Sequence, residues 1–266
     1  MDTWRLLIDP PQPAAHNMAV DEALAASCRA EATGPTLRLY AWEQPSISLG
    51  YFQRPDEVAN LDRCREAGVP VVTRTTGGRA VYHHHEVTYS LVAPIPHPLF
   101  PPTIKGTFAA VARALAAGLA ELGVTVDAWT DNRDSATRPE PGARSPFCFE
   151  SVSWYEITLD GKKLIGSAQR RWKTAFLQHG SLLLTYEPDA AAPWFRAASG
   201  SPASHRVAGL NSDGRSFTHE KVCRALVVGW ERALGIRLIP GTLTAAEAAS
   251  VAETSHTRDL TVTLVP

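Results

Sequence analysis

The chain has 266 residues, of which 44% are hydrophobic and 20% are charged, and its formal net charge is −1 at pH 7. These values predict a globular protein with one large domain, and the near-zero charge gives no electrostatic reason to expect nucleic acid or an anionic membrane as a partner. No apolar run approaches the ~18 residues that a transmembrane helix needs, and the N-terminus lacks the layout of a signal peptide. The sequence therefore predicts a cytoplasmic protein.

Helix and strand patterns alternate along the first half of the chain. Apolar residues that recur every three to four positions indicate helices, and alternating or β-branched runs indicate strands. Asn17 favours the start of the first helix as an N-cap, and Gly68 and Gly123 favour the ends of two later helices. In chain order the patterns predict a helix over 17–30, strands over 36–42 and 46–52, a helix over 55–68, a strand over 69–74, a hairpin with arms at 79–82 and 87–93, a helix over 103–122 and a strand over 124–129.

The second half begins with a polar, proline-rich stretch over 130–146 that is typical of a loop. Asp160-Gly161 is the preferred residue pair of a type I′ turn and predicts a hairpin. The order of strands, hairpins and helices favours an α+β fold, with one domain over 1–240 and a short helical tail over 241–266 that is not a second domain. The remaining predicted elements are strands over 174–186 and 236–240 and a helix over 218–234.

Four cysteines are scattered along the chain without a CxxC pair, namely Cys28, Cys64, Cys148 and Cys223. Their spacing does not fit a zinc finger or ribbon, and disulfides are not expected in a reducing compartment. Cys28 and Cys223 occupy apolar positions of helical patterns and are predicted to be buried, and Cys64 to be half-buried. Cys148, in "SPFCFESVSWYE", lies outside any periodic segment, and its role stays open at this point.

The stretch "RTTGGRAVYHHH" is a candidate binding segment. Gly77 and Gly78 would let the backbone approach a ligand closely, and Arg74 and Arg79 beside them would hold an anionic group. The alternative is a plain glycine turn with two surface arginines, and a short glycine motif does not decide between the two.

The triplet His83-His84-His85 suggests a metal site at first sight. Because adjacent strand residues point to opposite faces, at most His83 and His85 could converge. Apart from the adjacent Glu86, no acid or cysteine lies at ligand spacing, so polar histidines at a strand end are favoured and no metal site is predicted.

Two further stretches, "DGKKLIGSAQRR" and "LQHGSLLL", contain polar residues within strand patterns. In the first, Lys162 and Lys163 should face opposite sides of the hairpin, and an inward lysine beside Gly166-Ser167-Ala168 would be an anchored cation. The alternative is that both lysines are solvated. In the second, His179-Gly180 interrupts an apolar strand, which indicates either a close backbone approach at a binding site or a structural histidine.

Taken in order, "RTTGGRAVYHHHEVTYSL", "DGKKLIGSAQRR" and "LQHGSLLL" resemble the signature of the biotin/lipoate ligase and octanoyltransferase superfamily. "NMAVDEAL" and "PSISLGYFQ" fit the same pattern, so the resemblance covers roughly 4–240. It implies a biotin/lipoate protein ligase-like catalytic domain of mixed, mostly antiparallel sheets flanked by helices. Such a domain binds a fatty or lipoyl chain in a tunnel and passes it to a lysine of a carrier domain.

Within the superfamily, "FCFESVSWYE" resembles the "CFDAPSWYE"-like segment of octanoyltransferases from Gram-positive and related bacteria. By this resemblance Cys148 is the acyl-accepting nucleophile and Lys163 its catalytic partner. His84 departs from the family pattern because relatives commonly have an acid there; the other departures are Thr73, Glu150 and Val152. The resemblance implies substrate-binding roles for Arg74, Gly77, Gly78, Arg79, Ala80, Tyr82, His83, Gly166, Ser167, Ala168, His179 and Gly180.

The activity that the resemblance implies is transfer of an octanoyl group from octanoyl-acyl-carrier protein to a lysine of a lipoyl-carrier domain. That acceptor is expected to be the glycine-cleavage H protein or a lipoyl domain of a 2-oxoacid dehydrogenase. A thioester at Cys148 would carry the acyl group, with no ATP, metal or other cofactor. The alternatives are an ATP-dependent lipoate-protein ligase, an octanoyl amidotransferase between lipoyl domains, and a non-catalytic relative.

Overall fold

The structure is a computed structural model that describes residues 1–128, 157–187, 189–196 and 206–261. The loop predicted over 130–146 and the candidate nucleophile Cys148 lie outside the described residues. No described helix combines the length and the apolar character that crossing a lipid bilayer would need.

Most described elements lie where the sequence patterns predict them, but a strand at the N-terminus was not predicted and the helix predicted over 55–68 is two short helices. The strands are β1 (Asp2–Ile8), β2 (Thr36–Tyr40), β3 (Ser46–Leu49), β4 (Val71–Thr73), β5 (Val81–His83), β6 (Glu86–Pro94), β7 (Asp127–Ala128), β8 (Ile157–Leu159), β9 (Lys162–Arg171), β10 (Ala175–Leu183) and β11 (Ile236–Pro240). The helices are α1 (Ala14–Arg29), α2 (Pro55–Val58), α3 (Leu61–Glu66), α4 (Ile104–Glu121), α5 (His219–Leu234) and α6 (Ala245–Thr254), with 3-10 turns at Ala192–Trp194 and Ser255–Thr257.

The strands form a large and a small sheet. The eight-stranded sheet has the order β11-β1-β2-β6-β10-β9-β8-β7, in which β1 pairs in parallel with β11 and β2 and the other pairs are antiparallel. The three-stranded sheet has the order β4-β3-β5. Mixed, mostly antiparallel sheets flanked by helices confirm the predicted α+β class.

Helices cover both faces of the large sheet. On one face α4 and α5 pack Leu115 and Trp230 into the main core, and on the other α1 and α6 pack Leu24 and Val251 against β6 and β10. The apolar stripe of α4 recurs every four residues, and the Thr103 side chain accepts a hydrogen bond from the Gly106 N–H at the helix start. The short tail predicted after residue 240 therefore contributes α6 to a sheet face.

The first helix starts earlier than predicted, at Ala14, and Asn17 is not its N-cap. The Asn17 amide nitrogen donates to the carbonyl oxygens of Gln12 and Ala41, and its Oδ1 accepts from Arg38. Asn17 is fully buried, so its side chain is used in tertiary contacts that its helix-start preference does not reveal.

The predicted hairpin with arms at 79–82 and 87–93 is wrong. Its first arm, β5, pairs with β3 in the small sheet, whereas its second arm, β6, lies between β2 and β10 in the large sheet. Since β6 uses both edges for these two neighbours, it has no edge left for β5. The chain therefore crosses from one sheet to the other at His84-His85.

The hairpin predicted at Asp160-Gly161 is confirmed. Both residues have positive φ, 51° and 72°, as a type I′ turn requires, and they join β8 to β9. The two lysines that follow differ as predicted, because Lys162 is exposed and Lys163 is 2% exposed.

Candidate active site

A pocket between the two sheets brings the predicted binding segments together. It encloses about 370 Å³ of space between atoms, its open mouth included. The predicted substrate-binding residues that line it are Arg74, His83, Gly166, Ser167, Ala168, His179 and Gly180. Ala80 and Tyr82 do not line it, because they pack in the core of the small sheet.

Arg74 holds the glycine loop in place. Its buried guanidinium donates from Nη2 to the carbonyl oxygens of Gly77 and Arg79, and from Nη1 to the Ser48 carbonyl and hydroxyl oxygens. Gly78 has φ of 97°, a conformation that favours glycine. These donors are directed at the protein itself, which assigns Arg74 a positioning role in the loop.

Arg79, the second arginine of this segment, has a different environment. Its Nη1 is buried and has no hydrogen-bond acceptor within the part of the chain that the structure describes. A buried cationic donor without an acceptor is costly to leave unpaired. Arg79 does not line the pocket, and its expected role in holding an anionic group stays a prediction.

His83 is held at the pocket by a hydroxyl on one side and a carboxylate on the other. Its Nε2 lies 2.7 Å from the Ser48 hydroxyl, its Nδ1 lies 2.9 Å from Glu86 Oε1, and its ring stacks on Trp42 with centroids 3.8 Å apart. Burial lowers the pKa of His83 although the Glu86 carboxylate acts in the opposite direction. A neutral ring that donates from Nδ1 to Glu86 Oε1 and accepts at Nε2 from Ser48 fits these contacts, since Ser48 itself accepts from Arg74.

His179 is held in the same manner. Its Nε2 lies 2.7 Å from the Thr76 hydroxyl and its Nδ1 lies 2.9 Å from Asp21 Oδ2. Burial acts to raise the pKa of the Asp21 carboxyl, but the hydrogen bond to His179 and the charge of Arg38 outweigh it and keep that pKa below its ordinary value. The ionised Asp21 therefore fixes the imidazole orientation at the pocket wall.

Gly180, next to His179, marks a close approach of two strands, as its position in the sequence suggests. A Cβ atom at this position would lie 2.5 Å from the Gly166 carbonyl oxygen and 2.6 Å from Ser167 Oγ. The Ser167 hydroxyl lies 2.7 Å from the Tyr89 hydroxyl. Glycine is thus required where β9 and β10 form a wall of the pocket.

Burial disfavours the reactive thiolate form of the three described thiols. Cys28, Cys64 and Cys223 are buried, and burial raises their pKa to about 11, about 11 and about 12, respectively. Cys223 lies 3.6 Å from His219 Nδ1, which resembles a Cys–His catalytic pair in distance alone. With its raised pKa, the thiol of Cys223 stays protonated at neutral pH.

The expectation that His83 and His85 were the one histidine pair able to converge is wrong, because His84 and His85 lie together. The His83 side chain points to the pocket, whereas the rings of His84 and His85 lie together with centroids 3.7 Å apart. Strand alternation ends with β5 at His83, so it does not govern the two residues that connect the sheets.

Sequence reasoning missed the partners that orient the two histidines. These residues are Asp21, Ser48, Thr76 and Glu86, all of which are buried. Asp21 is three residues from Met18 and from Leu24 in a helical segment, and this spacing was the available signal that it faces the core.

A family model described as "Lipoyl protein ligase A/B catalytic domain" matches residues 13–230. An octanoyltransferase LipM from Kyrpidia tusciae is 41% identical over 93% of this chain and 93% of its own length. An octanoyltransferase LipM from Moorella thermoacetica is 39% identical over 92% of each chain.

Solved structures of similar fold agree with these matches. A lipoate-protein ligase A bound with ATP has a TM-score of 0.76 at 26% identity, covering 96% of this chain and 95% of its own. A T. acidophilum protein of the lipoate protein ligase type, solved with lipoic acid, has a TM-score of 0.75 at 25% identity, covering 97% of this chain and 96% of its own. The fold expected from the sequence is confirmed.

Proposed function

Because the chain belongs to the lipoyl protein ligase A/B catalytic domain family, we propose that it transfers an octanoyl group from octanoyl-acyl-carrier protein to a lipoyl-carrier domain through a thioester at Cys148. Its similarity to octanoyltransferases identifies it as an acyltransferase that transfers octanoyl groups in protein lipoylation. The acceptor is a lysine of the glycine-cleavage H protein or of a 2-oxoacid dehydrogenase lipoyl domain, and the reaction takes place in the cytoplasm.

The observation that supports the thioester step is the burial of the other three thiols, which keeps them protonated. A thiolate is the reactive form of cysteine, and burial holds Cys28, Cys64 and Cys223 in the protonated form at neutral pH. Cys148 is the remaining thiol of the chain, and its segment matches the octanoyltransferase pattern. The burial of these three thiols supports Cys148 as the proposed nucleophile.

Lys163 is the cation proposed to act with it. The side chain is buried on β9, three residues before Gly166-Ser167-Ala168 at the pocket wall. A buried ammonium group favours a nearby thiolate over the thiol, and it stabilises the negative charge that develops on an attacked carbonyl oxygen. Lys162, on the exposed side of the same strand, has no such environment.

The proposed reaction exchanges one thioester for another before an amide forms. The Cys148 thiolate attacks the carbonyl carbon of the donor thioester, and the carrier thiolate leaves and takes up a proton. The neutral amine of the acceptor lysine then attacks the acyl-enzyme, loses a proton and displaces the Cys148 thiolate. The amide product is more stable than a thioester, so no nucleotide is needed.

The pocket supplies orientation for this chemistry. His83 and His179 are fixed at the pocket by Glu86 and Asp21. The small residues at 166–168 leave room for the acyl chain beside the wall that β9 and β10 form.

Intact-mass measurement after mixing the protein with octanoyl-carrier protein, without ATP, magnesium or acceptor, tests the proposal. We expect a mass increase of one octanoyl group that hydroxylamine removes and that peptide mapping assigns to Cys148. Free octanoate should give no adduct, because the free acid is not activated for acyl transfer as a thioester is. Octanoate-dependent pyrophosphate release without an adduct would instead identify an ATP-dependent ligase.

Two cysteine variants complete this test. Cys148→Ala should lower octanoyl transfer by at least about 1,000-fold, because the step that stores the acyl group is removed. Cys223→Ala is the matched control, since it removes the thiol that lies near a histidine, and it should transfer octanoate at the parent rate. A Cys148→Ala protein that transfers octanoate normally would overturn the thioester mechanism.

A further inference from the structure

The connection between β5 and β6 lies against the segment that follows β10. The last register pair of β6 and β10 joins Glu86 to Leu183. One residue beyond it, the His85 carbonyl oxygen accepts hydrogen bonds from the Leu184 and Thr185 N–H groups, at 2.8 and 3.2 Å. Two chain segments that are about 100 residues apart are thereby fixed side by side.

Three side chains with metal-ligand atoms converge at this junction. His84 is half-buried, His85 and Glu187 are exposed, and one ligand atom of each lies within 4.8 Å of the other two. His85 Nε2 and Glu187 Oε1 are 4.0 Å apart, which is longer than a hydrogen bond. A hydrogen bond between His85 and Glu187 therefore does not explain why the three side chains lie together.

The distances fit a metal after small side-chain rotations. Zinc bonds of about 2.0–2.2 Å in a tetrahedral site put neighbouring ligand atoms roughly 3.4 Å apart. The separations here exceed that value by at most about 1.4 Å, and two of the three side chains are exposed and free to turn. The backbone of His85 needs no movement, since it is already held by Leu184 and Thr185.

We propose that His84, His85 and Glu187 form a surface site for a transition-metal dication such as Zn²⁺, with water in the remaining coordination positions. Two imidazoles and a carboxylate suit Zn²⁺, Ni²⁺ or Cu²⁺ and not the all-oxygen preference of Mg²⁺ or Ca²⁺. The site is outside the pocket. The pocket-lining residue that comes nearest to it along the chain is His83.

A metal at this site would join the sheet-to-sheet connection to the end of β10. Because such binding requires the folded arrangement of segments that are distant in sequence, it stabilises the native state by mass action. Thermal stability is therefore a direct readout of binding, and it is independent of transferase activity.

Calorimetric titration of tag-free, chelator-treated Cys148→Ala protein with zinc chloride tests the site, because this background removes a competing thiol. We expect one zinc ion per chain. At a free concentration of 100 times the Kd, the Tm should rise by roughly 5–10 °C, since ligand binding to the native state raises the unfolding temperature. Magnesium chloride should give neither heat of binding nor a shift in Tm. Absence of saturable zinc binding up to millimolar concentration would overturn the proposal.

Variants assign the ligands. His84→Ala, His85→Ala and Glu187→Gln should each weaken zinc binding by about 10-fold or more, because each removes one donor. In the presence of chelator their Tm should stay within about 2 °C of the parent, since His85 and Glu187 are exposed and His84 is only half-buried. His16→Ala, a half-buried histidine at the start of α1, is the control and should bind zinc as the parent does. Unchanged affinity in a His84→Ala/His85→Ala double variant, or in Glu187→Gln, would contradict the three-ligand site.

Discussion

Arg38 is completely buried and connects the folded core to the pocket wall. Its guanidinium donates to Asp9 and Asp21, and it lies 3.9 Å from the Tyr40 ring centroid. Asp21 in turn holds His179, which lines the pocket. A buried charge is tolerated only when opposite charges and hydrogen bonds surround it, so this cluster fixes one orientation of the histidine as well as the fold.

Asp21→Asn should destabilise the protein by about 3 kcal/mol at pH 7, because it leaves Arg38 with one carboxylate in place of two. The depressed pKa of Asp21 gives a stabilisation that is present above the unfolded-state pKa of 3.8 and is lost as pH falls through the lower folded-state pKa. Urea unfolding of both proteins between pH 7 and pH 3 should therefore show a difference in unfolding free energy that narrows below about pH 4. A difference that stays constant to pH 3 would contradict the linkage.

The two adjacent lysines offer a comparison that isolates one charge. Lys163→Met should lower octanoyl transfer by about 100–1,000-fold, since it removes the proposed cation but keeps an apolar side chain of similar length in a buried position. Lys162→Met should change transfer less than about 2-fold, because Lys162 is exposed. Single-turnover rates measure the effect, and Tm values within a few degrees of the parent show that Lys163→Met is folded. Equal losses in the two variants would refute a specific role for Lys163.

Among the elements, α4 and α5 make the closest helix contact that the structure describes. The two helices meet at Gly118 and Gly229, where a Cβ on Gly229 would lie 2.1 Å from the Gly118 nitrogen and 2.3 Å from its Cα. The contact lets both helices bury their apolar stripes on one sheet face, Leu115 from α4 and Trp230 from α5 among them. The two glycines allow the backbones of α4 and α5 to approach this closely.

Gly229→Ala should destabilise the protein by about 1–3 kcal/mol, because the added methyl group forces the two helix backbones apart. The loss of about 1–3 kcal/mol is the net value, after the gain of about 1 kcal/mol that alanine brings to a helix interior. Gly34→Ala is the matched control, since nothing lies within 4 Å of a Cβ at that position. Chemical unfolding measures both, and a Gly229→Ala protein as stable as the parent would mean that the helices separate without cost.

Helices and turns could be predicted from the sequence where residues close together in the chain determine them. Repeats of four residues define α4 and α5, and Asp160-Gly161 defines its turn, because these signals depend on neighbours in the chain. The partner of β5 could not be predicted, since alternation identifies a strand without identifying the strand it pairs with. The orienting pair of Asp21 and His179 is separated by 158 residues, and no local pattern links them.

Across the whole molecule, the last described helix is part of the main structure. In α6, Val251 packs against α1, and Glu247 forms a two-pronged ion pair with Arg5 of β1 at 2.7 Å. Burial raises the pKa of Glu247, but the hydrogen bond from Arg5 outweighs it and the net shift is downward. Helix α6 is thereby tied to the first strand of the sheet.

Truncation after residue 240 should lower the unfolding free energy by about 2–4 kcal/mol, because it exposes the α1 surface under Val251 and leaves Arg5 without its carboxylate. Glu247→Gln separates the two effects and should cost no more than about 1 kcal/mol, since Arg5 is partly exposed to solvent. Urea unfolding measures both proteins. A truncated chain with parental stability would show that the tail is an independent appendage.

The parallel pairing of β1 with β11 has a consequence for synthesis on the ribosome. Strand β1, which buries Trp4 and Leu6 in the finished protein, is synthesised before residues 236–240. Its outer edge stays uncovered until those residues have been made. At about 5–20 residues per second this delay is roughly 10–50 s, during which an apolar strand edge is open to other nascent chains. The strand that closes the edge is itself protected, because β11 has five residues, an exposed arginine at 237 and a proline at 240.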